Sequence, residues 1–136
     1  MMPTLAGASA LLLFLSQTAT VLPAAQGAAG PYTVAQAEAG ALSYAAECAR
    51  CHGSKLQGGF EEPPLAGERF MAKWETQTTH DLLNFIATRM PPQRPGFLGE
   101  AQNLELVAFI LRSNNIPSGP NPMTRNTAVQ IGNKQP

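Results

Sequence analysis

The chain has 136 residues, the size of a single domain, and only 13% of them are charged. Its nine Lys and Arg residues equal its nine Asp and Glu residues, so the composition indicates no basic surface for nucleic acid and no acidic tail. Two cysteines are too few for a disulfide framework.

The start of the chain has the pattern of an export signal. Residues 5–15 form a short apolar run, LAGASALLLFL, and small residues follow from Ala24 to Gly30. We therefore predict a signal peptide over residues 1–29 and a periplasmic or otherwise exported protein. The alternative is an uncleaved anchor, and only in that case do we expect the chain to associate with a membrane.

The first predicted helix leads into the two cysteines. Thr33 can cap it, and apolar residues then recur at steps of three and four as far as Cys48. Gly40 lies inside this pattern, where it costs roughly 1 kcal/mol relative to Ala. We predict that another helix crosses closely there; a merely tolerated glycine is the alternative. The helix is expected to stop by Gly53.

The segment Cys48-Ala49-Arg50-Cys51-His52 places a His directly after two cysteines that are one helical turn apart. This spacing is typical of haem c attachment, because two such thiols can add to the vinyl groups on one porphyrin edge and the imidazole can bind the iron. The alternatives are a thioredoxin-like redox pair, a zinc site with only His80 as a further nitrogen ligand, and chance occurrence. No βαβ pattern supports the redox pair.

A long Pro- and Gly-rich loop is followed by two predicted helices. Phe70 and Trp74, four residues apart, predict a short helix over 68–74. The next helix begins with the capping-box pattern TTHD at 78–81. It ends at Met90, because the two prolines that follow disfavour helical geometry before them.

The last predicted helix spans residues 100–112 and is apolar around most of its circumference, which indicates a buried helix. Residues 115–136 are rich in Pro and Gly without a period, so we predict an extended or disordered tail. Residues 30–114 then form one domain of three main helices and a short one.

A second iron ligand has to come from Met71, Met90, Met123 or His80. Met90 is favoured, because it ends a helix before two prolines and lies far enough beyond His52 to reach the opposite haem face. Met71 fits better as a wall of the site, and Met123 lies in the predicted tail. Two axial ligands leave no open position for a substrate, which favours an electron carrier over a catalyst.

In these features the chain resembles the class I monohaem cytochrome c family, and in particular the small c domains associated with quinoprotein dehydrogenases. The resemblance covers about residues 39–114. The matching segments are AGALSYAAECARCHG at 39–53, PPLAG at 63–67, FMAKW at 70–74, RMPP at 89–92 and LELVAFILRSN at 104–114.

The resemblance implies an all-α fold wrapped around one covalent haem c. Cys48 and Cys51 would carry the thioethers, and His52 and Met90 would bind the iron. The Pro64 carbonyl would accept the imidazole proton.

Two further contacts are implied. Trp74 would reach a haem propionate. Gly40 would let the first helix cross the last one near Phe109.

The implied function is one-electron transfer between redox proteins, with a periplasmic dehydrogenase as donor and an oxidase or another cytochrome as acceptor. One alternative is a haem subunit held permanently in a dehydrogenase or oxidase complex. Another is a haem-based gas sensor with an open sixth position. Charges near the expected haem edge are balanced, so docking is expected to rely on a small apolar rim rather than on strong electrostatic steering.

Overall fold

The computed structural model describes residues 29–133, so the predicted signal peptide lies outside the described residues except for Ala29. No helix in this range is long and apolar enough to cross a membrane. A lone antiparallel bridge joins Thr78 to Gln130, and the range holds no strand beyond it. The predicted all-α fold is confirmed. The helices are α1 (Val34–Glu47), α2 (Ala49–His52), α3 (Glu68–Trp74), α4 (Thr79–Arg89) and α5 (Glu100–Ser113).

Capping boxes define the starts of α1 and α4. The Thr33 hydroxyl accepts a hydrogen bond from the backbone N–H of Gln36, whose side chain accepts one from the Thr33 N–H. Thr78 and Asp81 make the same reciprocal pair. Hydrogen bonds from the hydroxyl and the backbone N–H of Thr78 hold the pKa of the Asp81 carboxyl below its usual value. Both caps satisfy backbone donors that a helix start leaves unpaired.

The first predicted helix is divided at Cys48. This residue caps the end of α1 with φ −117°, and α2 then carries the remainder of the Cys48–His52 segment. Gly53 ends α2 with φ +79°, a conformation that glycine adopts without steric cost. The predicted stop by Gly53 is therefore confirmed.

Helix α1 packs directly on α5, and Gly40 lies at the crossing. A Cβ atom on Gly40 would overlap the carbonyl oxygen of Glu105 and lie 2.9 Å from Cβ of Phe109. One turn further along, the rings of Tyr44 and Phe109 are 5.2 Å apart between centroids. The glycine is required because the two backbones approach too closely for any side chain, which confirms the predicted crossing.

Helix α5 forms the centre of the core, as its apolar circumference predicts. Its buried apolar residues are Leu104, Leu106, Val107, Ala108, Ile110 and Leu111.

Residues 115–133 are extended and packed against the helices. Met123 is buried, and its backbone N–H and C=O both bond the Gln36 side chain at 2.8 and 2.9 Å. Further along, the Thr79 N–H donates to the Val129 carbonyl at 2.8 Å. This segment therefore ties the start of α1 to the start of α4.

Replacing Gly40 with Ala should lower the free energy of unfolding by about 3 kcal/mol, because α1 and α5 must separate to admit the methyl group. Chemical denaturation followed by circular dichroism measures the change. Gly99→Ala is the matched control, since no atom lies within 4 Å of its Cβ position, and should cost less than about 1 kcal/mol. Equal losses in the two variants would contradict the close-crossing explanation.

Candidate functional site

A cavity of about 520 Å³ opens between the ends of α1 and α4, with α5 as its floor. Leu106 and Ile110 of α5 line it together with Leu82 and Ile86 of α4. The cavity brings together every site residue predicted from the sequence: Cys48, Cys51, His52, Pro64, Trp74 and Met90.

His52 is held with one ring nitrogen free. Its side chain is buried, and Nδ1 lies 2.9 Å from the carbonyl oxygen of Pro63. Because a carbonyl can only accept, Nδ1 carries the proton and Nε2 keeps a lone pair. Nε2 makes no hydrogen bond to any of residues 29–133. This tautomer is the one that a metal-binding imidazole requires.

The acceptor carbonyl belongs to Pro63, one residue earlier than the predicted Pro64. Two backbone hydrogen bonds set the register of this loop: Leu65 N–H to the Leu56 carbonyl at 2.9 Å, and Gly59 N–H to the Glu62 carbonyl at 3.0 Å. With the loop held in this way, the Pro63 carbonyl meets the imidazole, and Pro64 is a lining residue of the cavity.

The two cysteines are free thiols, one half-buried and one exposed. Burial, then the charges of Glu47 and Cys51, raise the pKa of the Cys48 thiol to about 11. A disulfide-exchanging CxxC pair needs one accessible thiol with a lowered pKa, and the half-buried Cys48 is not such a thiol. Across residues 29–133, no group of three or more His, Cys, Asp or Glu side chains could hold a metal ion, which argues against zinc.

Of the four candidates for a second iron ligand, only Met90 lines the cavity. Its N–H donates to the Ile86 carbonyl at 2.9 Å, which makes it the last hydrogen-bonded residue of α4. Met123 is buried on Gln36 instead, and His80 donates from Nδ1 to the Arg125 carbonyl at 2.8 Å. The geometry therefore separates candidates that sequence spacing leaves open.

One end of the cavity is cationic. Arg69 and Lys73 line it beside Trp74, and the Lys73 ammonium lies 5.3 Å from the Trp74 ring centroid. The Trp74 indole ring lines the same end of the cavity. The sequence prediction missed Arg69, although its four-residue spacing from Lys73 on α3 places both on one helix face.

A second missed pair spans the cavity rim. Glu47, the residue before Cys48, bonds Arg94, in the segment after Met90, with an oxygen–nitrogen distance of 3.2 Å. Both residues line the cavity. Because the two residues are 47 positions apart in the chain, no local pattern could have indicated the contact.

These groups fit a covalent haem c. Two free thiols and an unprotonated imidazole nitrogen lie on one side of an apolar cavity, and a thioether lies on the cavity wall contributed by the end of α4. The cationic end suits the two propionates, and the haem would supply a one-electron redox centre.

Comparison with known proteins agrees with this fit. The family model described as "Cytochrome C oxidase, cbb3-type, subunit III" matches residues 35–110. The fold is similar to a chain in the crystal structure of the sulfane dehydrogenase SoxCD from Paracoccus pantotrophus, with a TM-score of 0.52 and 24% sequence identity. That match covers 76% of this chain and 60% of the other. Comparison with curated protein sequences gives no significant match.

Tyr44 gives the site a measurable pH dependence. Its hydroxyl donates to the Gly53 carbonyl at 2.6 Å, and burial, then the charge of Cys48, raise its pKa from 10.0 to about 12. The folded state therefore keeps a proton that the unfolded state loses above pH 10. The stabilisation is complete below that pH and is lost as the pH rises towards 12.

We expect the free energy of unfolding to fall across this window in the wild type and to fall less in Tyr44→Phe. Denaturant titrations at a series of alkaline pH values measure both slopes. Identical slopes would contradict a role for the Tyr44 hydroxyl.

Proposed function

The chain belongs to the cbb3-type cytochrome c oxidase subunit III family, a family of haem c electron-transfer domains, and from that premise we propose that it carries single electrons through one haem attached at Cys48 and Cys51. His52 and Met90 are the proposed axial ligands. The observation that carries the proposal is that His52, whose Nδ1 is bonded to the Pro63 carbonyl, and Met90, the one methionine of residues 29–133 that lines the cavity, lie on the same largely apolar cavity.

This ligand pair determines what the iron can do. With the His52 imidazole and the Met90 thioether as its ligands, a bound haem iron would keep no open position for oxygen or a substrate. A thioether also favours the reduced state of the iron relative to a second imidazole, which raises the reduction potential. The protein is therefore proposed to be a carrier and not a catalyst.

The remaining cavity residues support the same function. The Pro63 carbonyl holds the His52 ring in one orientation and makes its free nitrogen a better donor. Arg69, Lys73 and Trp74 line the end that is proposed to bind the propionates, where the two positive charges and an indole N–H donor are matched to carboxylates.

Met90→Ala should remove the weak red absorption band of sulfur-bound ferric iron. It should also lower the reduction potential by a sizeable part of the roughly 0.8 V range that axial ligands span. Met71→Ala is the matched control, because Met71 does not line the cavity, and it should leave both properties unchanged. Absorption spectra with redox titration measure the two effects.

Two results would contradict the proposal. One is loss of the red band in Met71→Ala instead of Met90→Ala. The other is rapid and complete binding of carbon monoxide by the reduced wild type, which would indicate an open sixth position and favour the gas-sensor alternative.

A second candidate function is that of a haem subunit held permanently in a dehydrogenase or oxidase complex. The description of the matching family, an oxidase subunit, and the fold shared with a chain in the sulfane dehydrogenase SoxCD structure favour it. Phe97 is half-exposed and Phe60 fully exposed, in the loops after Met90 and after the CxxCH segment, and they offer apolar contact to either kind of partner.

We propose that the protein acts outside the cytoplasm, in the periplasm, since its apolar start suits export and haem c attachment occurs there in bacteria. Purification of the full-length protein from its native membranes and periplasm tests carrier against subunit. A carrier should elute alone from the periplasmic fraction after mild extraction. Elution only with stoichiometric partner chains would establish a subunit instead.

A further inference from the structure

The segment that follows Met90 has few attachments to the rest of the domain. Residues 92–97 are exposed, and their backbone hydrogen bonds are internal: Arg94 N–H to the Pro91 carbonyl, and Phe97 N–H to the Arg94 carbonyl. The segment is anchored again at Leu98, whose side chain is buried and whose carbonyl accepts a hydrogen bond from Asn103 at 3.1 Å.

Between Met90 and Leu98, Arg94 makes the one side-chain polar contact that reaches another element among residues 29–133. Its guanidinium binds the Glu47 carboxylate at 3.2 Å and stacks 3.8 Å from the Phe97 ring centroid. The stack orients the guanidinium in advance, so that less side-chain entropy is lost on pairing.

The ion pair joins the two sides of the cavity. Glu47 directly precedes Cys48, on the side where the thioethers and His52 are proposed to hold the haem. Arg94 belongs to the exposed segment that begins two residues after Met90, and it also lines the cavity. An opening of residues 92–97 away from the cavity must break the Glu47–Arg94 ion pair. A motion elsewhere in the domain need not break it.

We propose that the Glu47–Arg94 ion pair is a latch that keeps the segment after Met90 closed over the haem, and so limits access of outside ligands to the iron. The proposal rests on the assignment of Met90 as an axial ligand made above. Both residues are positioning residues, since they act on the iron only through Met90.

The exposure of the Arg94 and Glu47 side chains determines how strongly the ion pair should affect ligand binding. The side chains are 53% and 26% exposed, so the pair belongs to the class of ion pairs that contribute modestly and are screened by salt. An outside ligand binds only the open form. Its apparent affinity is therefore its intrinsic affinity multiplied by the fraction of molecules that are open. Removal of the latch should therefore tighten apparent binding about two- to fivefold.

The experiment titrates the ferric holoprotein with imidazole above the pKa of that ligand, so that the ligand is uncharged and does not respond to the altered protein charge. Glu47→Gln and Arg94→Gln should each lower the apparent dissociation constant about two- to fivefold. The double variant Glu47→Gln/Arg94→Gln should show no further change, because either substitution alone removes the pair.

The salt dependence of imidazole affinity is a second measurement. It would not change if Glu47 and Arg94 had only a structural role. Raising the salt concentration from about 0.05 to about 1 M shortens the Debye length to roughly 3 Å. Wild-type imidazole affinity should then rise towards that of the variants, while the variants should not respond. Charge exchange, Glu47→Arg with Arg94→Glu, should restore the salt response and move the affinity back towards the wild-type value, although it removes the stack of Arg94 on Phe97.

The Glu100–Arg125 pair is the matched control, because it is also exposed but lines no part of the haem cavity. Glu100→Gln and Arg125→Gln should leave imidazole affinity unchanged. If they tighten binding as much as Glu47→Gln and Arg94→Gln do, or if charge exchange restores no salt response, the latch is refuted.

The same titration separates the two proposals. A wild-type ferric protein without the red sulfur band before imidazole is added contradicts the Met90 assignment itself. A normal band with equal imidazole affinities in wild type and latch variants contradicts only the latch.

Discussion

The crossing of α1 and α5 at Gly40 is the contact on which the rest of the structure depends. Because no Cβ separates the two backbones, the end of α1 lies directly beside α5, and Leu106 and Ile110 become the floor of the cavity. The CxxCH segment follows immediately from α1, so its orientation is set by this contact. A wider crossing would displace the thiols and the imidazole together.

The two sides of the cavity are held with very different rigidity. The proposed proximal side is tied by several short hydrogen bonds: His52 to the Pro63 carbonyl, the Tyr44 hydroxyl to Gly53, and Gly58 N–H to the His52 carbonyl at 2.8 Å. The side that carries Met90 has an exposed segment and one ion pair. The more firmly held side is therefore the one that carries the two cysteines and His52.

Local signals predicted most of the fold. The capping residues, Gly53 and the prolines after Met90 mark helix ends through short-range chemistry, and helical spacing marks the buried face of α5. The site was predictable where it depends on one motif, as at Cys48–His52. The prediction of Pro64 as the acceptor for His52 was wrong by one residue, because hydrogen bonds to Leu56 and between neighbouring loop residues set the register, and composition does not encode them.

Other contacts that the sequence could not predict are long-range, and those of the tail lie close to the helices that line the cavity. The tail hydrogen-bonds to Thr79 and Gln77, at the junction between the helix that carries Trp74 and the helix that ends at Met90. The tail therefore connects the helix at the cationic end of the cavity to the helix that ends at Met90. This arrangement suits an electron carrier. When the iron changes charge, a protein that rearranges little spends little reorganisation free energy.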